Sequence, residues 1–282
     1  MRLAFVSDLH AEYQMEVCGL VARGALASGV DVLILAGDVS PDPEMLHGCL
    51  RVLAGGAEHV LFLPGNHDLW SFGPTGQRLD SSRKYRKLLP ELSRRAGVEY
   101  LGLSPVSIGG FSFCGVTGWY DFSLRNEEVG ISLDDYRAGR FRGIECADRR
   151  FFEWREEGSV LSDEEVAVWM RRCLEHQLAE ASSERKIVVT HFLPGSEPLV
   201  PQGQPEQDFV MGFLGDRGLG DVIDGARRVV RLISGHWHVP FLVRRRCATG
   251  DYPWEGSPVG YPRERPGSLE ERVAQALRIV DV

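Results

Sequence analysis

The feature that most constrains the fold is a regular alternation of short apolar runs and helical patterns near the start of the chain. Residues 2–7, 31–36 and 59–63 are apolar runs of strand length, and residues 16–28 and 43–54 are predicted helices. Strand, helix, strand, helix and strand in this order are typical of parallel βαβ units. The sequence therefore predicts an α/β fold.

The rest of the chain continues with strands and helices in a less regular order. The clearest helix covers residues 162–181, where Ser162 and Glu165 form a capping box ahead of an apolar stripe. Further helices are predicted at 82–96 and 219–225, and further strands at 98–103, 106–108, 111–115, 186–190, 229–234, 241–243, 246–248 and 278–282. Residues 119–159 show no clear period, and we interpret them as a lid, an insertion or a cap.

Composition narrows the class of protein. A chain of 282 residues with 43% hydrophobic residues suits one domain over residues 1–282 with a substantial core. No apolar run approaches the ~20 residues that cross a bilayer, and the opening apolar stretch is too short for a secretory signal. We therefore predict a cytoplasmic protein with no membrane segment. A net charge of −8 makes a nucleic-acid polymer a less favoured substrate than a small molecule.

Side chains that can bind metal follow directly after five of the predicted strands. They are Asp8, His10, Asp38, Asn66, His191, His236 and His238. In open α/β sheets, sites form beyond the carboxyl ends of the strands, so we expect these side chains to meet at one edge. Carboxylate, imidazole and amide ligands suit borderline divalent ions, and we expect manganese, with iron, zinc, cobalt or nickel as alternatives. Seven ligands exceed the need of one ion, so we predict two ions bridged by Asp38.

Three glycines support this interpretation. Gly37, Gly65 and Gly235 each precede a predicted ligand. A residue without Cβ permits unusual backbone angles and a close approach at a strand end. Adjacent side chains can then turn back towards a shared centre.

Taken in order, the strand-end motifs resemble those of a known superfamily. The segments are Asp8-Leu9-His10, Gly37-Asp38, Gly65-Asn66-His67-Asp68, His191 and Gly235-His236-Trp237-His238. Together they resemble the motif set of the calcineurin-like metallophosphoesterase superfamily. The motifs span residues 8–238 and thus most of the chain. Asp-x-His alone is a weak signal, whereas Gly-Asn-His-Asp is fairly specific.

The resemblance implies a fold and a division of the ligands. The implied fold is a four-layer α/β/β/α sandwich, in which two facing mixed sheets are flanked by helices. The implied ligands are Asp8, His10 and His238 for one metal, Asn66, His191 and His236 for the other, and Asp38 for both.

The resemblance also implies two catalytic residues that do not bind metal. His67 is expected to contact the phosphate and to assist the leaving oxygen. Asp68 is expected to orient the His67 ring through a hydrogen bond.

These expectations point to one reaction and leave two alternatives. We predict that a metal-bridging hydroxide hydrolyses a phosphomonoester or phosphodiester in a small substrate. A nuclease of the same superfamily is one alternative, although it would need a long basic groove. A non-catalytic metal-binding scaffold is the other. The sequence leaves the oligomeric state open.

Several aromatic and basic residues near the motifs have two interpretations each. Trp70, Trp119 and Tyr120 either line the substrate site or belong to the core. Arg125 or Arg263 either pairs with a phosphate or lies on the surface.

Overall fold

The computed structural model describes residues 1–71 and 80–282 and contains two large mixed sheets. In chain order, the strands are β1 (Arg2–Val6), β2 (Val32–Ala36), β3 (His59–Leu63), β4 (Glu99–Tyr100), β5 (Val106–Ile108), β6 (Phe111–Val116), β7 (Arg140–Phe141), β8 (Ile144–Glu145), β9 (Arg155–Glu156), β10 (Ser159–Val160), β11 (Arg185–Thr190), β12 (Val229–Ser234), β13 (Phe241–Arg245), β14 (Tyr252–Gly256) and β15 (Arg278–Asp281). The first sheet has the order β15-β1-β2-β3-β4, and the second has the order β13-β14-β12-β11-β6-β5.

The central strands of both sheets run parallel. This holds for β1 to β4 in the first sheet and for β14, β12, β11 and β6 in the second. The outer strands β15, β13 and β5 run antiparallel to their neighbours. The parallel strands within each sheet therefore present their carboxyl ends at a common edge.

Helices flank the sheets and join the strands. The α-helices are Glu16–Ala27, Pro43–Leu53, Asn66–Leu69, Ser81–Arg83, Leu89–Ala96, Leu133–Ala138, Asp148–Phe151, Asp163–Glu180, Pro205–Asp208, Arg217–Gly225 and Leu269–Ala276. Lys84–Leu88 is a π-helical turn, and Glu127–Val129 and Phe209–Phe213 are 3-10 helices. Within the described residues, no helix is both long and apolar enough to cross a membrane.

Alternating side chains on the strands create the layers. On β2, Ile34 packs in an apolar cluster with Val189 of the second sheet. Its neighbour Leu35 points to the opposite face and packs in a cluster with Leu50 of the flanking helix. Because successive strand residues face opposite sides, one face of the sheet meets the other sheet and its back meets helices. The predicted four-layer sandwich is confirmed.

A local signal correctly predicted the start of one long helix, but local signals did not predict all elements of the C-terminal region. The capping box of Ser162 and Glu165 is present. The predicted strand at 246–248 is wrong, since β13 turns back there and pairs with β14. The helix Leu269–Ala276 was not predicted, although Ser268 caps it in the same manner.

Residues 119–159 form short elements around buried aromatic side chains. They include the two-residue hairpin strands β7 with β8 and β9 with β10. Trp119 and Tyr120 are fully buried. Trp119 stacks on Phe152 at a centroid distance of 3.8 Å and its Nε1 donates to Asp163. These two aromatic residues therefore belong to the core.

Candidate active site

The strand ends bring the seven predicted ligands together. Three segments follow β1, β2 and β3 of the first sheet, and two follow β11 and β12 of the second sheet. Backbone hydrogen bonds join the loops, from Asp8 N to Gly37 O (2.9 Å) and from Gly235 N to His191 O (3.1 Å). The predicted segments therefore lie together, at strand ends of two sheets and not at the edge of a single sheet.

The backbone is strained at four of the seven predicted ligands. Asp8, His10, Asp38 and His236 have positive φ angles of 55°, 44°, 57° and 64°. This left-handed region costs a residue with a side chain roughly 1–2 kcal/mol. Such strain persists where the surrounding structure enforces it, and it concentrates at functional sites.

Glycines leave the space in which these side chains meet. Gly37 has a φ of 93°, and a Cβ on it would overlap the ring of His191. A Cβ on Gly65 would overlap the carboxylate of Asp38. The close approach expected from the sequence is therefore present at both positions.

One group of possible ligands consists of Asp8, His10 and His238. The Nε2 atoms of His10 and His238 lie 3.2 Å apart, and His238 Nε2 lies 3.4 Å from Asp8 Oδ1. Asp8 Oδ2 is buried and has no hydrogen-bond partner among residues 1–71 and 80–282. A divalent ion ~2.0–2.2 Å from each ligand atom would fit these separations and satisfy the free oxygen.

A second group consists of Asn66, His191 and His236. His191 Nε2 lies 3.0 Å from Asn66 Oδ1. The rings of His191 and His236 have centroids 5.2 Å apart. Ligand atoms of Asp38, His191 and His236 all lie within 4.8 Å of one another, which is compatible with a second ion.

Asp38 lies between the two groups. Its Oδ2 is 3.9 Å from His10 Nε2, and its Oδ1 is 3.4 Å from His191 Nε2. The side chain is almost completely buried. One carboxylate oxygen thus faces each group.

Hydrogen bonds fix which imidazole nitrogens are free for a metal. His191 Nδ1 lies 2.9 Å from Ala36 O, and His236 Nε2 lies 3.2 Å from Phe213 O. Because a carbonyl oxygen can only accept, these nitrogens carry the protons. In the neutral rings, the lone pairs are therefore on His191 Nε2 and His236 Nδ1. His238 is held in a similar way, with Nδ1 2.7 Å from Glu264 Oε2.

The charges of the cluster suit a cation. Burial raises the pKa of Asp8, but the His238 imidazole outweighs it and the pKa falls to about 2. Burial also opposes ionisation of Asp38, yet His191 and His67 hold its pKa well below the usual range. Burial lowers the pKa of His236 to about 3. Ionised carboxylates and a neutral imidazole are the forms that bind metal. Burial lowers the pKa of His191, but the Asp38 carboxylate outweighs it and raises that pKa to about 9, so a metal would displace a proton from this ring.

His67 lies beside the cluster. Its Nε2 is 3.9 Å from Asp38 Oδ2 and 3.2 Å from the Tyr261 hydroxyl. The ring stacks on Trp70 at a centroid distance of 3.6 Å. Trp70 therefore lines the site, unlike the buried Trp119.

The predicted role of Asp68 as the partner of the His67 ring is wrong. The Asp68 carboxylate accepts hydrogen bonds from the backbone amides of Gly65, Asp38, Val39 and Ser40, at 2.8–3.0 Å. It therefore braces the loops that carry Asp38 and Asn66. The Asp68 side chain points towards these four amides and not towards the His67 ring.

Glu12 is the carboxylate beside the His67 ring, and the sequence did not single it out. Glu12 Oε1 lies 3.8 Å from His67 Nδ1 and 3.4 Å from His10 Nδ1. Its place two residues after His10 is a weak signal, because a loop residue can point in many directions.

Two distant segments add further residues that sequence reasoning missed. Tyr261 stacks on His10 at 4.3 Å, and Glu264 contacts His238. Asp148 Oδ1 accepts from Asn66 Nδ2 (2.8 Å) and from Trp70 Nε1 (2.6 Å). No local pattern marks these residues, since their importance comes from contacts across the fold.

The two arginines considered for phosphate binding lie differently. Arg125 forms an ion pair with the exposed Glu127. The guanidinium of Arg263 lies 5.9 Å from the Tyr261 ring centroid, near the site. Of the two, only Arg263 contacts a residue that adjoins the candidate ligands.

Comparisons with known proteins agree with the fold and motifs. The family described as calcineurin-like phosphoesterase matches residues 1–240. The phosphopantetheinyl hydrolase of Mycobacterium tuberculosis is similar in structure, with a TM-score of 0.73 and 20% identity over 99% of this chain and 95% of that one. The protein TT1561 of Thermus thermophilus has a TM-score of 0.52 and 15% identity over 99% and 98%. None of the curated proteins matches.

These structural neighbours establish the shared fold, and the family match covers well over half of the sequence. The chain therefore belongs to the calcineurin-like phosphoesterase family and is a dinuclear metal-dependent phosphoester hydrolase.

Proposed function

We propose that the protein hydrolyses a phosphomonoester or phosphodiester of a small molecule at two divalent ions bridged by Asp38. The observation that carries the proposal is the position of this carboxylate, with one oxygen towards His10 and the other towards His191. A single ion would not require both faces of a buried carboxylate.

The two ions would be held by the two groups of side chains that flank Asp38. The proposed ligands are Asp8, His10 and His238 for one ion and Asn66, His191 and His236 for the other. When bound, two such ions acidify water and neutralise the charge on a phosphoryl group. The nitrogen and oxygen ligands are compatible with manganese, which we propose first, and with iron, zinc, cobalt or nickel.

His67 is the proposed proton donor to the leaving oxygen. Its Nε2 faces the Asp38 carboxylate at 3.9 Å and so lies on the side of the ring nearest the cluster. Stacking on Trp70 fixes the plane of the ring, and Glu12 lies beside Nδ1. A proton held at Nε2 is therefore directed towards a phosphoryl group at the cluster.

Residues 119–159 are the proposed cap of this site. Asp148 of this segment accepts hydrogen bonds from both Asn66 and Trp70 and is itself buried. The segment therefore reaches the candidate ligands directly. A cytoplasmic location remains part of the proposal.

The test is a panel of phosphoesters assayed with Mn²⁺, Zn²⁺, Fe²⁺ and Mg²⁺. It contains p-nitrophenyl phosphate, bis(p-nitrophenyl) phosphate, cyclic nucleotides, and single-stranded and duplex DNA. A phosphopantetheinyl ester is included because a protein of the same fold is named phosphopantetheinyl hydrolase.

We expect metal-dependent turnover of a small ester and little hydrolysis of DNA. The metal-free protein and Asp38→Asn are the controls. A preparation with two bound metals that hydrolyses none of the small esters would contradict the proposal, and preferential hydrolysis of DNA would replace it by a nuclease.

A further inference from the structure

A cavity of about 200 Å³ adjoins the candidate metal ligands. Asn66, His67 and His236 are among its lining residues. Its walls come from two segments outside the strand-end loops, residues 144–148 and residues 209–214. The cavity therefore lies between the candidate metal ligands and these two segments.

The walls are mainly apolar. They include Trp70, Ile144, Cys146, Phe209, Phe213 and Leu214, and the exposed Glu145 adds a carboxylate to the lining. None of the described residues that line the cavity is Lys or Arg. Such a lining gives a sugar few hydrogen-bond partners and leaves a second phosphate without a counter-charge.

The buried carboxylate of Asp148 in the wall already accepts hydrogen bonds from other side chains. Asp148 Oδ1 accepts from Asn66 Nδ2 and Trp70 Nε1, both within 2.8 Å. Its negative charge also repels an anionic substituent. The cavity thus selects against negative charge as well as against extensive hydrogen bonding.

The position of His67 indicates which part of a substrate enters. This step rests on the proposed function, in which His67 protonates the leaving oxygen. The group attached to that oxygen then begins beside the His67 ring. The ring lines the cavity and stacks on Trp70, one of its walls. The substituent on the leaving oxygen would therefore lie in the cavity.

We infer that this cavity binds the leaving group of the ester and that this leaving group is mainly apolar and carries no negative charge. Water attacks phosphorus, the bond from phosphorus to the leaving oxygen breaks, and the product alcohol departs with a proton from His67. A volume of about 200 Å³ holds roughly six or seven groups the size of a water molecule. The cavity thus accommodates a chain of about six carbons.

The experiment compares alkyl phosphates whose leaving groups have nearly equal basicity but different lengths. Ethyl, butyl, hexyl and decyl phosphate, and the corresponding methyl alkyl phosphodiesters, are assayed with the manganese-loaded enzyme. We expect kcat/KM to rise roughly three- to fourfold per methylene up to about six carbons and then to level off.

Two cavity-filling variants test whether the dependence of kcat/KM on chain length arises in this cavity. Val210→Trp and Ala147→Trp place a large ring at partly exposed wall positions, where folding tolerates it. We expect each to lower the hexyl-to-ethyl ratio of kcat/KM by about tenfold or more. The matched control is Val200→Trp, at a position 73% exposed and outside the cavity, which should leave the ratio unchanged.

A binding measurement tests the same assignment in variants that no longer hydrolyse the esters. The dissociation constants of hexylphosphonate and ethylphosphonate, which are not hydrolysed, are measured by calorimetry, and their ratio should follow the same pattern. Turnover of ethyl phosphate without any dependence on chain length would overturn the cavity assignment and leave the proposed function intact. A dependence that persists in both tryptophan variants would also overturn it. Absence of turnover with every ester would instead contradict the proposed function.

Discussion

The strand-end loops and the cavity wall meet at one site but are built in different ways. The loops follow strands of five or six residues, are cross-linked by backbone hydrogen bonds and hold side chains at enforced positive φ angles. The wall consists of the two-residue strand β8, a four-residue helix and a 3-10 turn. A rigid frame thus carries the proposed metal ligands, and short irregular elements carry the proposed substrate contacts.

The difference separates reaction chemistry from substrate choice. Ligands must be fixed within fractions of an ångström, which extended sheets provide. A wall of loops can change shape and residue type without disturbing that frame. We therefore expect large, substrate-independent losses from changes in the loops and smaller, selective losses from changes in the wall.

The largest effect is expected for Asp38→Asn. An amide cannot bridge two cations as a carboxylate does, so both metals should bind weakly and kcat/KM should fall by roughly 10³-fold or more for every ester. Metal content by mass spectrometry and steady-state kinetics provide the measurement. Retention of one ion at full affinity would show that Asp38 serves a single metal.

His67→Ala should reduce turnover while sparing the metals. Loss of proton donation is expected to lower kcat by roughly 10²-fold or more for alkyl esters. The loss should be much smaller for p-nitrophenyl phosphate, whose leaving group needs little protonation. If the variant loses its metals instead, His67 is a ligand and the assigned role is incorrect.

Asp148→Ala tests the contact where the two regions meet. Without this acceptor, Asn66 loses the bond that orients its amide, and we expect one metal to bind roughly 10- to 100-fold more weakly. Titration of the metal-free protein with Mn²⁺ measures both affinities.

Asp148→Asn is the matched control for that variant. A single oxygen of Asp148 accepts both hydrogen bonds, so an amide oxygen in the same place can keep them. We expect nearly normal affinity. If both variants bind the metal equally weakly, the contribution of Asp148 is its negative charge and not the orientation of Asn66.

The smallest effect is expected for Tyr261→Phe. The hydroxyl lies 3.2 Å from His67 Nε2, whereas the ring packs on His10 and is kept in the variant. Loss of one hydrogen bond of ordinary strength should lower kcat about three- to tenfold with full metal content. A loss as large as that of His67→Ala would place Tyr261 among the catalytic residues.

Sequence reasoning succeeded where position along the chain determines position in space. Residues that end neighbouring parallel strands must lie at one edge, so Asp8 and Asp38, which follow β1 and β2, could be placed together from the pattern alone. His191 follows β11 of the second sheet, and its place beside them was implied by the resemblance to the superfamily. The wall offers no such rule, because Asp148 reaches Asn66 across 82 residues.

Adjacency in the sequence led to one wrong prediction, that of the role of Asp68. Asp68 follows His67 directly, yet its carboxylate turns to four backbone amides. Tyr261 and Glu264 lie in a Pro- and Gly-rich tail beyond the family match, and only the folded structure brings them to the site.

The most direct test is a crystal structure of the manganese-soaked protein with anomalous diffraction collected at the manganese edge. We predict two peaks roughly 3.5–4 Å apart on either side of Asp38, one beside His238 and the other beside His191. No peak in this position, or one peak that Asp38 does not contact, would contradict the proposed two-metal site.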